Sequence, residues 1–506
     1  MKQIQVLPSI EIDLGGARMT SGAMRCLMSF RVQQVLSQPT VAELVFRDPP
    51  GPLDELASVE VGTSLRLDAD NSGIALIEGE VTAIEQSFLP DGEREVRIRA
   101  YDPIHRLRKR QPVRAHVDVS AGSLGRELAG DCGLEFENDE DGPIWPRVIQ
   151  HDLSDFDLLQ RLCERAGFYF TTRRGVLHLL TLEGIGPAVP IRYGDELIEA
   201  RVEVNADPAC RSVAADGWSP LEAQRHHAVA EDARLGTRVD LSAPPAAVGS
   251  DGMRVLSGTE VLSDEHALAL AQGELDRRRG HEVTLWAVAD GNPRLRPGAW
   301  VDLETPAAGM RGRHVVSSAI HTLDDRRGFT SEITSEIPDR RPASSALRTS
   351  LGRVVDVADP DGLGRVRVAL PSIGDLETDW IEVLLTGAGA GKGLIAIPAP
   401  DDLVLVLLGS PEASQAIVLG SVYGPTVPPD PGVDADRVVR YTLTTPSGQR
   451  ITLADDTKTL RLEDGNGNKI ELSPQGLKVD AVVDITMAAP GRRLLFRGKA
   501  IDFEQA

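Results

Sequence analysis

Residues 450–480 read RITLADDTKTLRLEDGNGNKIELSPQGLKVD, and this stretch decides the fold of the C-terminal part of the chain. Apolar residues stand two positions apart in each short segment, so both side chains leave the same face of an extended strand. Charged or polar residues fill the intervening positions, and turns such as Asp464–Asn468 separate the segments. The pattern predicts consecutive short strands, each with one apolar and one polar face.

The same pattern extends over residues 441–506, which we interpret as one third of a trimeric spike. Two apolar side chains per strand are too few to enclose a core in so short a segment. Three copies wound around one axis would bury the apolar stripe and leave no open strand edges. The core of this intertwined β-helix is predicted to consist of Ile451, Leu453, Leu460, Leu462, Ile470, Leu472, Leu477, Val479, Ile485 and Met487, with Ile501 and Phe503 as a further pair near its end.

The composition is typical of a soluble protein rich in short strands. Of 506 residues, 41% are hydrophobic, 26% are charged and only 4% are aromatic, and there are 48 glycines and 33 prolines. The net charge of −22 argues against a polyanionic ligand, because nothing would offset the repulsion of phosphates. We therefore interpret the basic run Arg106–Arg114 as a solvated or interface face and not as a nucleic-acid site.

The four cysteines predict free, buried thiols in a reducing compartment. Cys26, Cys132, Cys163 and Cys210 lie far apart and form no CxxC pair. No apolar run approaches the ~20 residues that a membrane-spanning helix needs, and the N-terminal residues lack the apolar core of a signal peptide. We expect synthesis in the cytoplasm, with any exit from the cell by another route.

Alternation and turn signals divide the chain into successive regions. A helix is predicted to begin after Ser154, which can cap it together with Asp157, and to end at Gly167. A second helix is predicted from Asp264 to about Arg279. The predicted regions are a β-rich unit (1–110), a mixed helical insertion (111–189), a second β-rich unit (190–337), a linker (338–348), a compact β-unit (349–424), a linker (425–440) and the spike (441–506).

Five groups of segments carry a family pattern in a fixed order. They are residues 154–159 with 167–170, 291–298 with 315–321, 352–354 with 364–368, 380–406, and 416–423, the last reading AIVLGSVY. In order and spacing they resemble VgrG proteins and phage baseplate hubs, and the resemblance covers nearly the whole chain. Two positions depart from the family: Asp401-Asp402 replaces a usual Gly-Asp pair, and Lys392 replaces an aromatic residue in a glycine-rich loop.

The resemblance implies a mainly β fold and a mechanical function. It implies two hub β-barrel domains with helical insertions, an OB-fold collar and the trimeric β-helix spike. The homotrimer would join hexameric tail-tube and baseplate proteins, carry a PAAR-type tip protein docked at Ile501 and Phe503, and contact the target envelope transiently. No cofactor, metal, nucleic acid or enzymatic activity is expected.

Fusion of hub and spike in one chain, without an attached effector domain, favours an extracellular, phage-tail-like injection system. The protein would then reside in the baseplate of a particle that can be released from the cell. The alternatives are the baseplate hub–spike of a contractile phage and a type VI secretion VgrG.

Other motifs are better explained as ordinary loops. The glycine-rich loop Gly387–Gly393 lacks the spacing of a phosphate-binding loop and the Ser/Thr that binds magnesium. His226-His227 with Glu222 and Glu231 lacks a metal-ligand spacing, and the acidic run 131–141 lacks the calcium-loop pattern.

Two more distant classes stay open at this point. A β-solenoid polysaccharide hydrolase needs a carboxylate pair lining a groove, and the tail shows none. An OB-fold nucleic-acid-binding module needs aromatic faces, and this region offers only Trp380 and Tyr423.

Overall fold

In the computed structural model, the described residues are 9–48, 56, 58–69, 73–90, 92–219, 224–257, 261–340, 348–408 and 416–504. The chain comprises two units, Met1–Ser421 and Val422–Ala506. The fold is mainly β, as the sequence predicts, and part of the linker predicted at 338–348 lies outside the described residues.

The first hub region, residues 10–101, is built from strands around one short helix. Its elements are β1 (Ile10–Leu14), β2 (Ala17–Arg18), α1 (Ser21–Met24), β3 (Leu27–Val35), β4 (Val41–Asp48), β5 (Ser64–Ala69), β6 (Ala75–Phe88) and β7 (Arg94–Tyr101). A 3₁₀ helix, Pro103–Lys109, leads out of it.

The insertion that follows is mixed, as predicted. Its elements are β8 (Arg114–Val119), α2 (Ala121–Asp131), β9 (Glu135–Asn138), β10 (Trp145–Gln150), α3 (Asp155–Ala166), β11 (Tyr169–Arg173) and β12 (Val176–Leu180). The predicted cap of α3 is confirmed: Ser154 Oγ accepts from the Asp157 backbone N–H at 3.1 Å, and Gly167 ends the helix in the left-handed conformation.

The second hub region returns to strands and contains the second predicted helix. Its elements are β13 (Val189–Arg192), β14 (Leu197–Val204), β15 (Ser212–Ser219), β16 (Gln224–Ala230), β17 (Arg238–Val239), β18 (Met253–Leu256), α4 (Asp264–Glu282), β19 (Val283–Asp290), β20 (Trp300–Glu304), β21 (Gly312–Val315), β22 (Ser318–Asp324) and β23 (Gly328–Thr334). The helix extends about one turn beyond its predicted end.

One eleven-stranded sheet joins the two hub regions. Its order is β14-β19-β23-β22-β3-β4-β7-β6-β5-β1-β2, so strands from both regions are continuous through the antiparallel β3–β22 pair. Phe329 on β23 packs into the core of the first region, with its ring centroid 5.8 Å from that of Phe30. Backbone hydrogen bonds between β3 and β22 and a shared hydrophobic core thus join the two regions that the sequence predicts as separate.

Arginines of the basic run Arg106–Arg114 form ion pairs with carboxylates of the same chain. Arg110 Nε lies 2.9 Å from a carboxylate oxygen of the fully buried Asp155, and Arg114 lies 3.4 Å from the other oxygen. Arg106 pairs with Glu80 at 2.5 Å. The basic run was predicted to be a solvated or interface face. The structure shows that Arg106, Arg110 and Arg114 instead contact carboxylates of the same chain.

The prediction of a loop at 131–141 is wrong in part, because this acidic run contains the end of α2 and strand β9, and three of its carboxylates pair with arginines. Asp131 lies 2.7 Å from Arg110, and Glu140 lies 2.5 Å from Arg234. Among the described residues, no group of three metal-ligating side chains is assembled. The described cysteines are free, and all but Cys26 are buried.

The OB region is a six-stranded sheet of order β26-β25-β24-β28-β29-β27. Its core includes Val354, Val368, Val404 and Val418, and Ile149 from the insertion completes it. The strands are β24 (Arg348–Asp356), β25 (Arg367–Leu370), β26 (Leu376–Glu377), β27 (Glu382–Val383), β28 (Leu403–Leu408) and β29 (Ala416–Val422).

The C-terminal unit contains a hairpin and an antiparallel five-stranded meander. The hairpin is β30 (Val433–Asp434) and β31 (Arg437–Val438), and the meander is β32 (Arg440–Thr444), β33 (Arg450–Ala454), β34 (Thr459–Glu463), β35 (Lys469–Ser473) and β36 (Gly476–Asp480). Asp430 forms an ion pair with Arg440, the first residue of β32, at 3.1 Å. The Arg440 guanidinium lowers the pKa of Asp430 to about 2.

Asp401 adopts a left-handed backbone conformation, with φ 72°. At this position the proteins that the sequence resembles usually have glycine. Glycine adopts this conformation without the steric cost that a Cβ atom carries. We expect Asp401→Gly to raise the free energy of unfolding by about 0.5–1 kcal/mol, because the exposed Asp401–Arg353 pair at 3.8 Å contributes little. Chemical denaturation of the chain measures this, and a destabilised Asp401→Gly protein would contradict it.

Three buried histidines predict a loss of hub stability in acid. Burial lowers the pKa of His266 and His314 to about 4 and that of His321 to about 3. A depressed histidine pKa means that the unfolded chain binds more protons between pH 6.5 and 4, so stability is complete above pH 6.5 and falls below it. We expect a loss of roughly 1–3 kcal/mol per histidine by pH 4.

Thermal unfolding between pH 7.5 and 4 tests this prediction. His314→Leu should reduce the pH dependence, since both ring nitrogens of His314 are buried without a partner. Asp102 and Asp276, whose pKa values are raised by burial, oppose part of the effect. A melting temperature that does not fall between pH 6.5 and 4 would contradict the prediction.

Candidate assembly surface of the C-terminal sheet

The turns of the meander set its register. Gly448 adopts φ 87° and its backbone N–H donates to the carbonyl of Thr445 at 3.0 Å, closing the turn between β32 and β33. In the turn between β34 and β35, Asp464 Oδ1 accepts from the backbone N–H groups of Asn466 at 2.9 Å and Asn468 at 2.8 Å. The Asn468 side chain lowers the pKa of Asp464, which acts as a turn-forming residue and not as a metal ligand.

The register aligns the predicted apolar residues into two ladders across all five strands. The first ladder runs Leu443–Ile451–Leu462–Ile470–Val479, and the second runs Tyr441–Leu453–Leu460–Leu472–Leu477. Because residues two apart share a face, both ladders lie on one side of the sheet. We call this side the apolar face.

The opposite side of the sheet is charged and internally paired. Arg461 lies 2.6 Å from Glu463, and Asp480 lies 3.0 Å from Lys478 and 3.4 Å from Lys469. Lys478 and then Lys469 lower the pKa of Asp480 through these contacts. This side is suited to water, since opposite charges alternate across neighbouring strands.

The apolar face is uncovered within the chain. Its eight predicted core residues on β33–β36 are between 36% and 68% exposed, whereas core residues elsewhere in the described chain are at most 9% exposed. A sheet with one apolar side needs a second layer to bury it, and fully burying each such side chain is worth about 1.5–3 kcal/mol. The surface therefore has the chemistry of an assembly interface.

No strand follows β36 in the described part of the single chain, and the place of Ile485 and Met487 in a trimer core stays a prediction. Residues 481–504 contain no strand, so Ile485, Met487, Ile501 and Phe503 do not lie on the five-stranded sheet. All four are exposed, and Phe503 is 92% exposed. A strand needs a hydrogen-bonded neighbour, and alternation in the sequence does not say whether that neighbour lies in the same chain.

The prediction of a solvated loop at His226-His227 is wrong, because both residues lie on strand β16 and His226 is buried. His226 Nδ1 lies 3.1 Å from Asp264, and His227 Nδ1 lies 2.9 Å from Asp216, so each histidine has its own carboxylate partner. Glu222 lies outside the described residues. The glycine-rich loop is an exposed turn closed by a bridge between Gly389 and Lys392.

None of the described helices is both long enough and apolar enough to cross a membrane.

The comparisons with known proteins agree with this architecture. The family model of the type VI secretion system/phage-baseplate injector OB domain matches residues 350–423, the region predicted as an OB-fold. No curated protein sequence matches the chain significantly.

Solved structures of low sequence identity share the fold. A chain from the lidless PdpA–VgrG complex is 9% identical, with TM-score 0.56, covering 94% of this chain and 99% of that one. An Escherichia coli type VI secretion component, described as similar to bacteriophage T4 tail proteins, is 12% identical, with TM-score 0.52 and coverages of 83% and 99%. A 43 kDa tail protein of prophage MuSo2 from Shewanella oneidensis is 14% identical, with TM-score 0.50 and coverages of 65% and 97%.

The chain thus shares its fold with these tail and VgrG-complex proteins, and it contains an OB domain of the type VI secretion and phage-baseplate injector kind at residues 350–423. A second family model, described as the Alg8 N-terminal domain, matches residues 72–325, which is half of the chain, and the chain belongs to that family.

Proposed function

We propose that this chain is the trimeric central hub–spike of a contractile injection machine, of the extracellular, phage-tail-like kind. The observation that carries the proposal is the apolar face: two continuous ladders are exposed on one side of the meander and a paired charged surface lies on the other. Three copies that turn their apolar faces toward one axis would bury both ladders and keep the charges in water.

The proposed function is mechanical and requires no enzymatic activity or cofactor. Contraction of a sheath drives the tube, and the force passes through the hub into the spike, which pierces the target envelope. Backbone hydrogen bonds across all five strands and a packed apolar centre would make such a spike stiff. The hub would join the hexameric tail tube and other baseplate proteins, as the injector OB domain at residues 350–423 supports.

Ile501 and Phe503 are proposed to hold a small PAAR-type tip protein. They are 52% and 92% exposed and follow strand β36 in the sequence. Large exposed apolar side chains are suited to packing against a partner protein.

The same arrangement would serve a contractile phage baseplate or a type VI secretion system, and these stay the alternatives. Solved structures from both kinds of source share the fold. We place the chain in a baseplate after synthesis in the cytoplasm.

Replacement of the gene in a producing strain tests the proposal. A chain ending at Tyr423 should yield no complete baseplates, because it lacks nearly all of the C-terminal unit Val422–Ala506, including the apolar face. The double variant Ile501→Ser/Phe503→Ser should yield complete particles that lack the tip protein. Electron microscopy and the protein content of purified particles measure both outcomes, and complete, active particles from the shortened chain would contradict the proposal.

A further inference from the structure

A cavity of about 290 Å³ lies where three parts of the hub meet. The first hub region contributes Gln34 and residues 73–78, the insertion contributes residues 172–175, and the second hub region contributes Arg296. All of these lie within the unit Met1–Ser421. The cavity is large enough for a small polyatomic ion with bound water.

The walls of this cavity carry one buried and one partly buried arginine. Arg296 is only 9% exposed, and it donates to the backbone carbonyls of Pro293 at 3.0 Å and Ala75 at 3.1 Å. Arg173 is partly buried and donates to the Pro297 carbonyl, and its buried Nε atom has no hydrogen-bond partner among the described residues. Among the described residues, neither guanidinium forms an ion pair with a carboxylate.

The two carboxylates of the same cavity, Glu78 and Asp102, bond to other residues of its lining. Glu78 pairs with Arg66. Asp102 uses Oδ2 to accept from the Thr40 backbone N–H at 2.9 Å and from Thr172 Oγ1 at 2.6 Å. Asp102 also has a pKa raised by burial, so it is a weak source of negative charge.

These two arginines have little compensation for their charge. Burial lowers the pKa of Arg173 to about 9, with a further contribution from the nearby Arg296. Burial likewise lowers the pKa of Arg296 to about 10, with a contribution from Arg174 at the exposed rim that Glu78 partly offsets. A poorly compensated charge away from water is costly, and an anion in the cavity would remove that cost.

We propose that this cavity binds a small free oxyanion of the phosphate or carboxylate class. Guanidinium groups bind such oxygens in pairs with matching geometry. The bound ion would bridge Arg173 of the insertion and Arg296 of the second hub region, beside Gln34 of the first. It would thereby hold the three parts of the hub together.

Calorimetric titration of the full-length protein with inorganic phosphate, and separately with citrate, tests the proposal at constant ionic strength set with sodium chloride. We expect saturable binding of one ion per chain to at least one of the two probes, with a saturable rise in melting temperature. Arg174→Asn should weaken this binding about 3- to 10-fold. Asparagine suits position 174, where φ is 51°, so the variant should fold normally.

Arg294→Gln is the matched control, because Arg294 is exposed and lies two residues from Arg296 on the same loop. It should bind as the unaltered protein does, whereas Arg296→Gln should bind at least about tenfold more weakly. No saturable binding of either probe, equal effects of Arg294→Gln and Arg174→Asn, or a melting temperature that follows ionic strength alone would overturn the proposal.

Discussion

Leu472→Asp is expected to abolish the proposed trimer of the full-length protein. Leu472 stands in the second ladder of the apolar face, between Leu460 and Leu477. In the proposed trimer, three carboxylates would replace three leucines near one axis, with loss of apolar burial, desolvation of the charges and mutual repulsion. The sum is at least about 5 kcal/mol per trimer, which weakens association roughly a thousandfold or more.

Sedimentation or light scattering of the variant measures the outcome. Thr452→Asp is the matched control, since it places a carboxylate on the opposite side of the same sheet, across from Arg461. We expect the control to remain trimeric. A trimer of Leu472→Asp as stable as that of the control would show that the apolar face is not the trimer core.

Phe30→Ala is expected to destabilise both hub regions together. Phe30 is fully buried on β3, contacts Phe329 of the second hub region and lies opposite Leu323 across the β3–β22 junction. Removal of a buried phenylalanine ring costs about 3–5 kcal/mol because it leaves a cavity. In a unit of this size we expect the melting temperature to fall by roughly 3–6 °C.

The same variant also tests whether the two hub regions unfold together in one transition. Because one sheet spans both regions, a single transition should move as a whole in calorimetry. Arg31→Ala, an exposed neighbour on the same strand, should leave the transition within about 1 °C of its original position. Two transitions, of which Phe30→Ala moves only one, would contradict the joined sheet.

Local patterns were sufficient to predict much of the fold. Ser154 and Gly167 bounded a helix because capping and a left-handed terminus are properties of neighbouring residues. The β33–β36 strands were predictable for the same reason, since alternation and turn residues determine a meander between strands that are adjacent in sequence. The OB region was found through its order of segments, which the injector OB family model matches at residues 350–423.

Features that depend on distant parts of the chain were not predictable. The sequence separates the hub into two regions, and nothing in β3 or β22 alone indicates that these strands pair across most of the hub sequence. Arg173 and Arg296 likewise meet only through the folded hub. The single chain forms no strand in residues 481–504, because alternation indicates which face is apolar but not where the pairing strand comes from.

The most direct test of the central proposal is the solution mass of the full-length chain and of a chain ending at Tyr423. The shorter chain keeps the last OB strand, Ala416–Val422, and lacks the apolar face. The account predicts a full-length species of three times 54.4 kDa, whereas the shorter chain should trimerise weakly or not at all. A monomer in both forms, at concentrations where the hub is folded, would contradict it.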